Sequence, residues 1–195
     1  MVLERFASGD WKTIKGKYER GDMTFKELLE RGFAFVRASE ELILRELEET
    51  VHFRPGFNTL LDLCRKQGTP VVVVSSGIDF CNRHLLRRND WLERVQLHTP
   101  QATRTADGFR FSFPSTWAEG SVNLKDDCVK YYRGQGNIVA YVGDSLSDYY
   151  AIRAADLAFV IAGSALERRL KSEEVKHMAV RDFATVAEAI GNLPA

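Results

Sequence analysis

Two short runs in this sequence set polar and acidic groups at the ends of apolar segments. Val71-Val72-Val73-Val74 leads directly into Ser75-Ser76-Gly77, and Ile138 to Val142 leads into Gly143-Asp144-Ser145, with Asp148 four residues after Asp144. At the first run a hydroxyl, exposed backbone amides and the start of the next helix coincide. Unpaired amides and a helix N-terminus both favour negative charge, so Ser75, Ser76 and Gly77 form a candidate phosphate cradle. At the second, two carboxylates on a turn and at the start of the following helix can converge on a hard cation such as Mg²⁺, which makes Asp144 and Asp148 candidate metal ligands. Lys125, near the start of the helix before this strand, can point a compact positive charge into the same crevice. Each piece alone has a plainer reading: Ser75 and Ser76 as caps of the next helix, Gly143-Asp144 as a turn with Ser145 or Ser147 as an N-cap, Lys125 as a solvated helix-end lysine. Asp126 and Asp127 are first-turn acids favoured by the helix dipole and carry no assigned chemistry. What points to phosphate chemistry is the order: strand-Ser-x-Gly, then Lys, then strand-Gly-Asp-x-x-x-Asp.

The elements that must position these residues alternate in type. The first 54 residues read as helices. Thr24 and Glu27 form a capping-box signature opening Phe25 to Val36, and Ser39 can cap a helix striped by Leu42, Ile43 and Leu47. Phe53-Arg54-Pro55-Gly56 breaks the pattern before a helix through Leu60, Leu61 and Cys64, with Gly68 at its C-terminal cap. Val71 to Val74 reads as a buried parallel strand and Ile78 to Arg88 as a helix. Thr103 to Phe113 alternates around Asp107-Gly108, a hairpin signal. Then follow a helix over Leu124 to Gln135, a strand over Ile138 to Val142, a helix over Ser147 to Ala155 and a strand over Leu157 to Ala162. A short strand near Met178 to Val180 and a helix over Phe183 to Gly191 complete the chain. Alternation of strand and helix through residues 55–195 predicts an α/β fold with a parallel sheet, whose ligand crevice lies beyond the carboxyl ends of the strands.

Composition narrows the classes. The 195 residues carry 27 Lys+Arg against 27 Asp+Glu, and 45% are hydrophobic. That suits a folded domain with a full core, and the zero balance argues against a dedicated nucleic-acid or anionic-membrane binder. The longest apolar run, Leu157 to Ala162, is far too short to span a bilayer. Cys64, Cys81 and Cys128 show no CxxC spacing and read as buried or half-buried reduced thiols, and the four scattered histidines do not make a zinc site. Met1-Val2-Leu3 runs straight into Glu4 and Arg5 without a signal pattern, so the expected compartment is the cytoplasm.

Taken together, these segments resemble phosphatases of the haloacid dehalogenase (HAD) superfamily, in the phosphoserine phosphatase branch, and within it the 2-hydroxy-3-keto-5-methylthiopentenyl-1-phosphate phosphatases. VVVVSSGIDF is similar to the second family motif, Lys125 to the third and YVGDSLSD to the fourth; the nineteen positions from Lys125 to Asp144 suit this branch. FRPGFNTLLDLCRKQG is similar to the segment leading into the second motif. The residues before it resemble the helical cap that this branch inserts. The resemblance implies a HAD-like Rossmannoid parallel sheet flanked by helices, divided into a helical cap at 1–52 and an α/β core at 53–195 with a small β-hairpin insertion. It implies a Mg²⁺-dependent phosphatase that hydrolyses a small phosphomonoester through an aspartyl-phosphate. Ser75, with the amides near Ser76 and Gly77, would hold the phosphoryl oxygens. Lys125 would neutralise charge on the nucleophile and the transferring group. Asp144 would be a Mg²⁺ ligand, with Asp148 a ligand or the holder of a metal-bound water. The partner is then a small phosphorylated metabolite, with no nucleic acid and no membrane. Arg5, Trp11 and Lys12 in the cap are candidates to touch the leaving group and are equally ordinary surface side chains.

One part of the family pattern has no counterpart. The first motif, DxDx[TV], carries the nucleophile and the general acid, and no Asp-x-Asp occurs anywhere in the 195 residues. No apolar strand precedes the cap helices either. The resemblance places that strand between the Val71 and Ile138 strands, so the first core strand is expected to be missing and backbone groups there to lack a partner. The expectation is a truncated start, with Met1 an internal methionine, and a chain that is inactive on its own. The alternative is a catalytically inactive HAD-fold protein that binds a phosphorylated metabolite or a partner through the retained crevice. A receiver-like signalling domain also uses an acidic Mg²⁺ pocket, but the long helical start and the hairpin do not belong to it.

Overall fold

Local signals set most element boundaries. In the computed structural model, which describes residues 2–20, 22–105 and 108–192, the Thr24 hydroxyl accepts the Glu27 amide while the Glu27 carboxylate accepts the Thr24 amide. This reciprocal box opens a helix as predicted. Ser39 caps the next helix through the Leu42 amide, and Asp182 caps the last through the Thr185 amide. In chain order the elements are α1 (Val2–Phe6), α2 (Trp11–Glu19), α3 (Phe25–Phe33), α4 (Glu40–Thr50), α5 (Phe57–Lys66), β1 (Val72–Val74), α6 (Asp79–Arg88), β2 (Gln96–His98), β3 (Gln101–Thr105), β4 (Gly108–Ser112), α7 (Leu124–Gly134), β5 (Ala140–Gly143), α8 (Tyr149–Ala154), β6 (Leu157–Ile161), α9 (Ala165–Ser172), β7 (Met178–Val180) and α10 (Phe183–Gly191).

The chain divides into two compact units. The first comprises Met1–Val51, Ser75–Glu93 and His98–Pro114. Its core is aromatic: Phe33 meets Phe109 and Phe111 edge-on, with ring centres 5.8 and 5.1 Å apart, among Val36, Ile43, Leu47, Ile78 and Cys81. β3 and β4 pair antiparallel from Gln101↔Ser112 to Thr105↔Gly108. Phe109 and Phe111 alternate with exposed Arg110 and Ser112, as a half-buried strand requires. The hairpin therefore belongs with the N-terminal helices, whereas the two-part reading of the sequence grouped it with 53–195. Asp107 of the hairpin signal lies outside the described residues. The helix begun at Phe25 stops at Phe33 rather than Val36, because Val36 makes an isolated antiparallel bridge with Ala7.

The second unit comprises His52–Val74, Arg94–Leu97 and Ser115–Ala195. Its three-stranded sheet is parallel in the order β5-β6-β7, with Tyr141 opposite Ala158 and Phe159 opposite Met178. β6 buries both faces. Val160 packs with Val129, Ile152, Leu166 and Leu170, while Phe159 and Ile161 pack with Leu60, Cys64, Val180 and Val186. Each such side chain contributes about 1.5–3 kcal/mol on full burial, which fixes helices on both faces of the sheet. β1 pairs with β2, the Gln96 amide donating to the Val71 carbonyl at 2.9 Å.

The sheet departs from expectation in its burial and its strand bounds, and matches it in having no strand before Val72 among the described residues. Val71 to Val74 is half-buried throughout, not fully buried. Among the described residues β1 and β5 each have a strand on one edge only, and no strand precedes Val72. β5 starts at Ala140 rather than Ile138, which is 81% exposed. β2 was not among the strands expected from the sequence. The three cysteines are buried and free, and burial pushes the Cys81 thiol up to about 12 and that of Cys128 up to about 11, so they pack as neutral thiols. No described helix is long and apolar enough to cross a membrane.

Candidate functional site

The turn after β5 is built around Asp148. Its Oδ1 accepts from the Lys125 Nζ at 2.6 Å and the Tyr141 hydroxyl at 2.8 Å. Its Oδ2 accepts from the Asp144 amide at 3.2 Å, the Ser145 amide at 2.9 Å and the Ser145 hydroxyl at 2.8 Å. Burial by itself pushes the Asp148 carboxyl up; the Lys125 charge and the hydrogen bonds from Lys125 and Ser145 outweigh it and hold the group below the ordinary carboxylate range. Burial and the adjacent Asp148 charge push the Tyr141 phenol up, so it stays a donor. Gly143 allows this approach: a Cβ there would lie 2.6 Å from the Asp148 Cβ and 2.9 Å from its Cγ.

Lys125 is set from two sides. Asn123 caps α7, its side-chain oxygen accepting the Lys125 amide at 2.9 Å, and its side-chain amide donates to the Ser147 carbonyl at 3.3 Å. The Lys125 ammonium also donates to the Ser147 hydroxyl at 2.9 Å. The helix start and the acidic turn are thus stitched together. Asp144 is exposed, with Arg54 Nη2 3.3 Å from its Oδ2. Buried Asp126 and Asp127 hold the preceding loop. Asp126 accepts the Val122 and Asn123 amides; Asp127 accepts those of Trp117 and Ala118 and the Ser121 hydroxyl.

Ser75-Ser76-Gly77 lies in the first unit. The Gly77 amide donates to the Ser75 hydroxyl at 3.0 Å, and the Ser75 amide donates to the His98 carbonyl at 3.0 Å. Ser76 and Gly77 also line a cavity of about 380 Å³ whose other walls include Trp11, Phe25, Leu28 and Leu85. Trp11 therefore faces this cavity, while Arg5 is engaged with Glu46 at 2.7 Å and Lys12 is exposed. Lys125, Asp144 and Asp148 are brought together in the second unit, and Ser75, Ser76 and Gly77 in the first. Asn82, Thr99, Asn123, Tyr141 and Arg54 complete these groups. Tyr141 opens the YVGDSLSD run, Arg54 lies in FRPGFNTLLDLCRKQG and Asn123 holds the N-cap position before Leu124, whereas Asn82 and Thr99 had no such signal.

The turn suits a hard cation held in the manner of Mg²⁺, which takes one or two carboxylates and fills its remaining positions with water and substrate oxygens. Asp144 offers an exposed carboxylate; five donors already occupy Asp148, which leaves it to act through Lys125, the loop or a bound water. No group of three or more His, Cys, Asp or Glu side chains among the described residues makes a fuller metal cluster.

A sequence model of the haloacid dehalogenase-like hydrolases matches residues 3–153. The chain belongs to this family. Among HAD relatives, a bifunctional enzyme MtnB/MtnX of Bacillus licheniformis is 27% identical over 188 residues, covering 95% of this chain and 44% of that protein. A 2-hydroxy-3-keto-5-methylthiopentenyl-1-phosphate phosphatase of Bacillus pumilus is 23% identical over 163 residues, covering 81% of this chain and 70% of that one. The unliganded crystal structure of a probable phosphoserine phosphatase from Vibrio cholerae superposes with a TM-score of 0.64 at 18% identity, over 92% of this chain and 57% of that one. The HAD chain thus spans less than half the length of the bifunctional relative and under two thirds of the Vibrio structure. The α/β architecture is the one these phosphatases share.

Proposed function

We propose that these residues supply the phosphate- and cation-binding parts of a Mg²⁺-dependent phosphatase that hydrolyses a small phosphomonoester through an aspartyl-phosphate. The observation that carries this reading is the Lys125 ammonium held 2.6 Å from Asp148 on a turn that also presents the exposed Asp144 carboxylate. In this reading Ser75 donates to a phosphoryl oxygen, the rest of the group lies against the turn at Ser76, and Gly77 keeps its amide on the Ser75 hydroxyl. Lys125 offsets negative charge as the phosphoryl group transfers, and Asp148 keeps the ammonium aimed. Asp144 holds Mg²⁺, with Asp148 reaching it through water. Bound there, the ion supplies charge stabilisation at the phosphoryl oxygens. Residues 1–52 act as the cap that shelters the leaving group. The apolar walls of the cavity beside Ser76 suit a leaving group with an apolar end. The methylthio-ended chain named for the Bacillus pumilus relative fits that description, while Glu4 and Lys15 on the same walls can meet a charged group as well.

The 195 residues contain no Asp-x-Asp, so in this reading they do not supply the nucleophile. That same fact favours a second reading, a non-catalytic protein that binds a phosphorylated metabolite. The test joins a β-strand carrying Asp-x-Asp to the chain and assays phosphate release from alkyl phosphates. Mg²⁺-dependent release that Lys125→Met abolishes supports the phosphatase. Tight binding of phosphate with no release from any phosphomonoester supports the non-catalytic reading. Robust turnover by the 195 residues unaided contradicts the aspartyl-phosphate route.

A further inference from the structure

Ser75, Asn82, Thr99 and Gly77 close a ring of hydrogen bonds, each group donating once and accepting once. The Gly77 amide donates to the Ser75 hydroxyl at 3.0 Å, and that hydroxyl donates to Asn82 Oδ1 at 3.3 Å. Asn82 Nδ2 donates to the Thr99 hydroxyl at 2.9 Å, and the Thr99 hydroxyl donates back to the Gly77 carbonyl. A hydroxyl has one proton, so the direction of the ring is forced: Thr99 accepts from Asn82 and must donate elsewhere, while Ser75 accepts from Gly77 and has its proton left for Asn82. Thr99 is 5% exposed and packs beneath the turn. The ring also closes tightly over Gly77, where a Cβ would lie 3.2 Å from the Ser75 hydroxyl and 3.3 Å from Asn82 Nδ2.

We infer that Asn82 and Thr99 are positioning residues of the phosphate cradle: they fix the Gly77 carbonyl and keep the Ser75 proton aimed until a phosphoryl oxygen replaces Asn82 Oδ1 as its acceptor. The inference rests on the phosphate reading of Ser75 to Gly77. The Ser75-to-Asn82 bond is the longest of those around the hydroxyl, and it is the one a ligand displaces at least cost. The other bonds stay in place and keep the turn rigid as it exchanges partners.

Inorganic phosphate, titrated by calorimetry into the 195-residue chain with Mg²⁺ present, tests this. Thr99→Val and Asn82→Leu are expected to weaken phosphate binding about five- to tenfold, the worth of one aligned hydrogen bond. Thr99→Ser restores it, because the ring needs a hydroxyl and not a methyl group. In a Ser75→Ala background Thr99→Val has no further effect, as required of a residue that acts through Ser75. Wild-type affinity in Thr99→Val and Asn82→Leu, with binding still weakened by Ser75→Ala, overturns the inference and leaves the phosphate reading intact. So does equal weakening by Thr99→Val with and without Ser75. Absence of phosphate binding in the wild-type chain overturns both.

Discussion

At the scale of single residues Asp148 holds the turn together. Five donors converge on its two oxygens, and its partner Lys125 is itself well buried, with side-chain exposures of 12% for Lys125 and 6% for Asp148. Removing one member of such a pair leaves the other uncompensated, so Asp148→Asn should cost about 3–5 kcal/mol of stability, measured by urea unfolding at neutral pH. The pH dependence has a definite sign. The folded carboxyl lies below its unfolded value, so its contribution is complete above the unfolded pKa and is lost as pH falls through the folded one. Wild-type stability should therefore fall on acidification below about pH 4, and Asp148→Asn should flatten that limb of the curve. A variant with the same acid limb as wild type contradicts the role given to this carboxylate. Ser75, Gly77, Lys125, Asp144 and Asp148 were legible in the sequence because strand ends and helix starts advertise them. Their partners were not. Asn82 reaches Thr99 and Arg54 reaches Asp144 through tertiary approach, which no local pattern encodes, while Tyr141 reaches Asp148 within the run YVGDSLSD but shows no role there until the turn is folded.

At the scale of elements, the start of α7 and the end of β5 act as one piece. Asn123 both caps α7 and binds the Ser147 carbonyl. Asn123→Ala should cost about 1–2 kcal/mol, toward the upper end of an N-cap loss, and an equal cost with Asn123→Asp would show that the bond to Ser147 counts, since Asp keeps the cap and loses the amide donor. Gly143→Ala should be worse than an ordinary strand substitution, because the new methyl meets Asp148 at 2.6 Å. A loss of about 1–3 kcal/mol in chemical denaturation is expected from overpacking there. Helix boundaries were readable where a cap residue announced them, at Thr24, Ser39 and Asp182. β2 was not read from the sequence: Val95-Gln96-Leu97-His98 alternates over only four residues, too short a run to announce a strand that is set by its pairing with β1. The hairpin was readable as a hairpin, but its packing on Phe33 depends on which face Phe109 and Phe111 present to another part of the chain.

At the scale of the whole molecule, the second unit carries the lysine and both carboxylates, while the first gathers the N-terminal helices, the hairpin and the serine turn. Two features of that division follow from the sequence itself: alternating strand and helix in the later half, and a helical beginning. The burial of β1 did not follow, because half-burial depends on which strands flank Val72–Val74 and not on its three valines. The central claim is that this chain retains a working phosphate and Mg²⁺ site. Calorimetric titration of inorganic phosphate into the 195-residue chain, with and without Mg²⁺, tests it most directly. The account predicts one phosphate per chain, bound more tightly with Mg²⁺. Lys125→Met should weaken binding about tenfold or more, as loss of a hydrogen bond to a charged group requires. Asp144→Asn should remove the Mg²⁺ effect while leaving the fold intact. No phosphate binding, or binding indifferent to Mg²⁺ and to both substitutions, would contradict it.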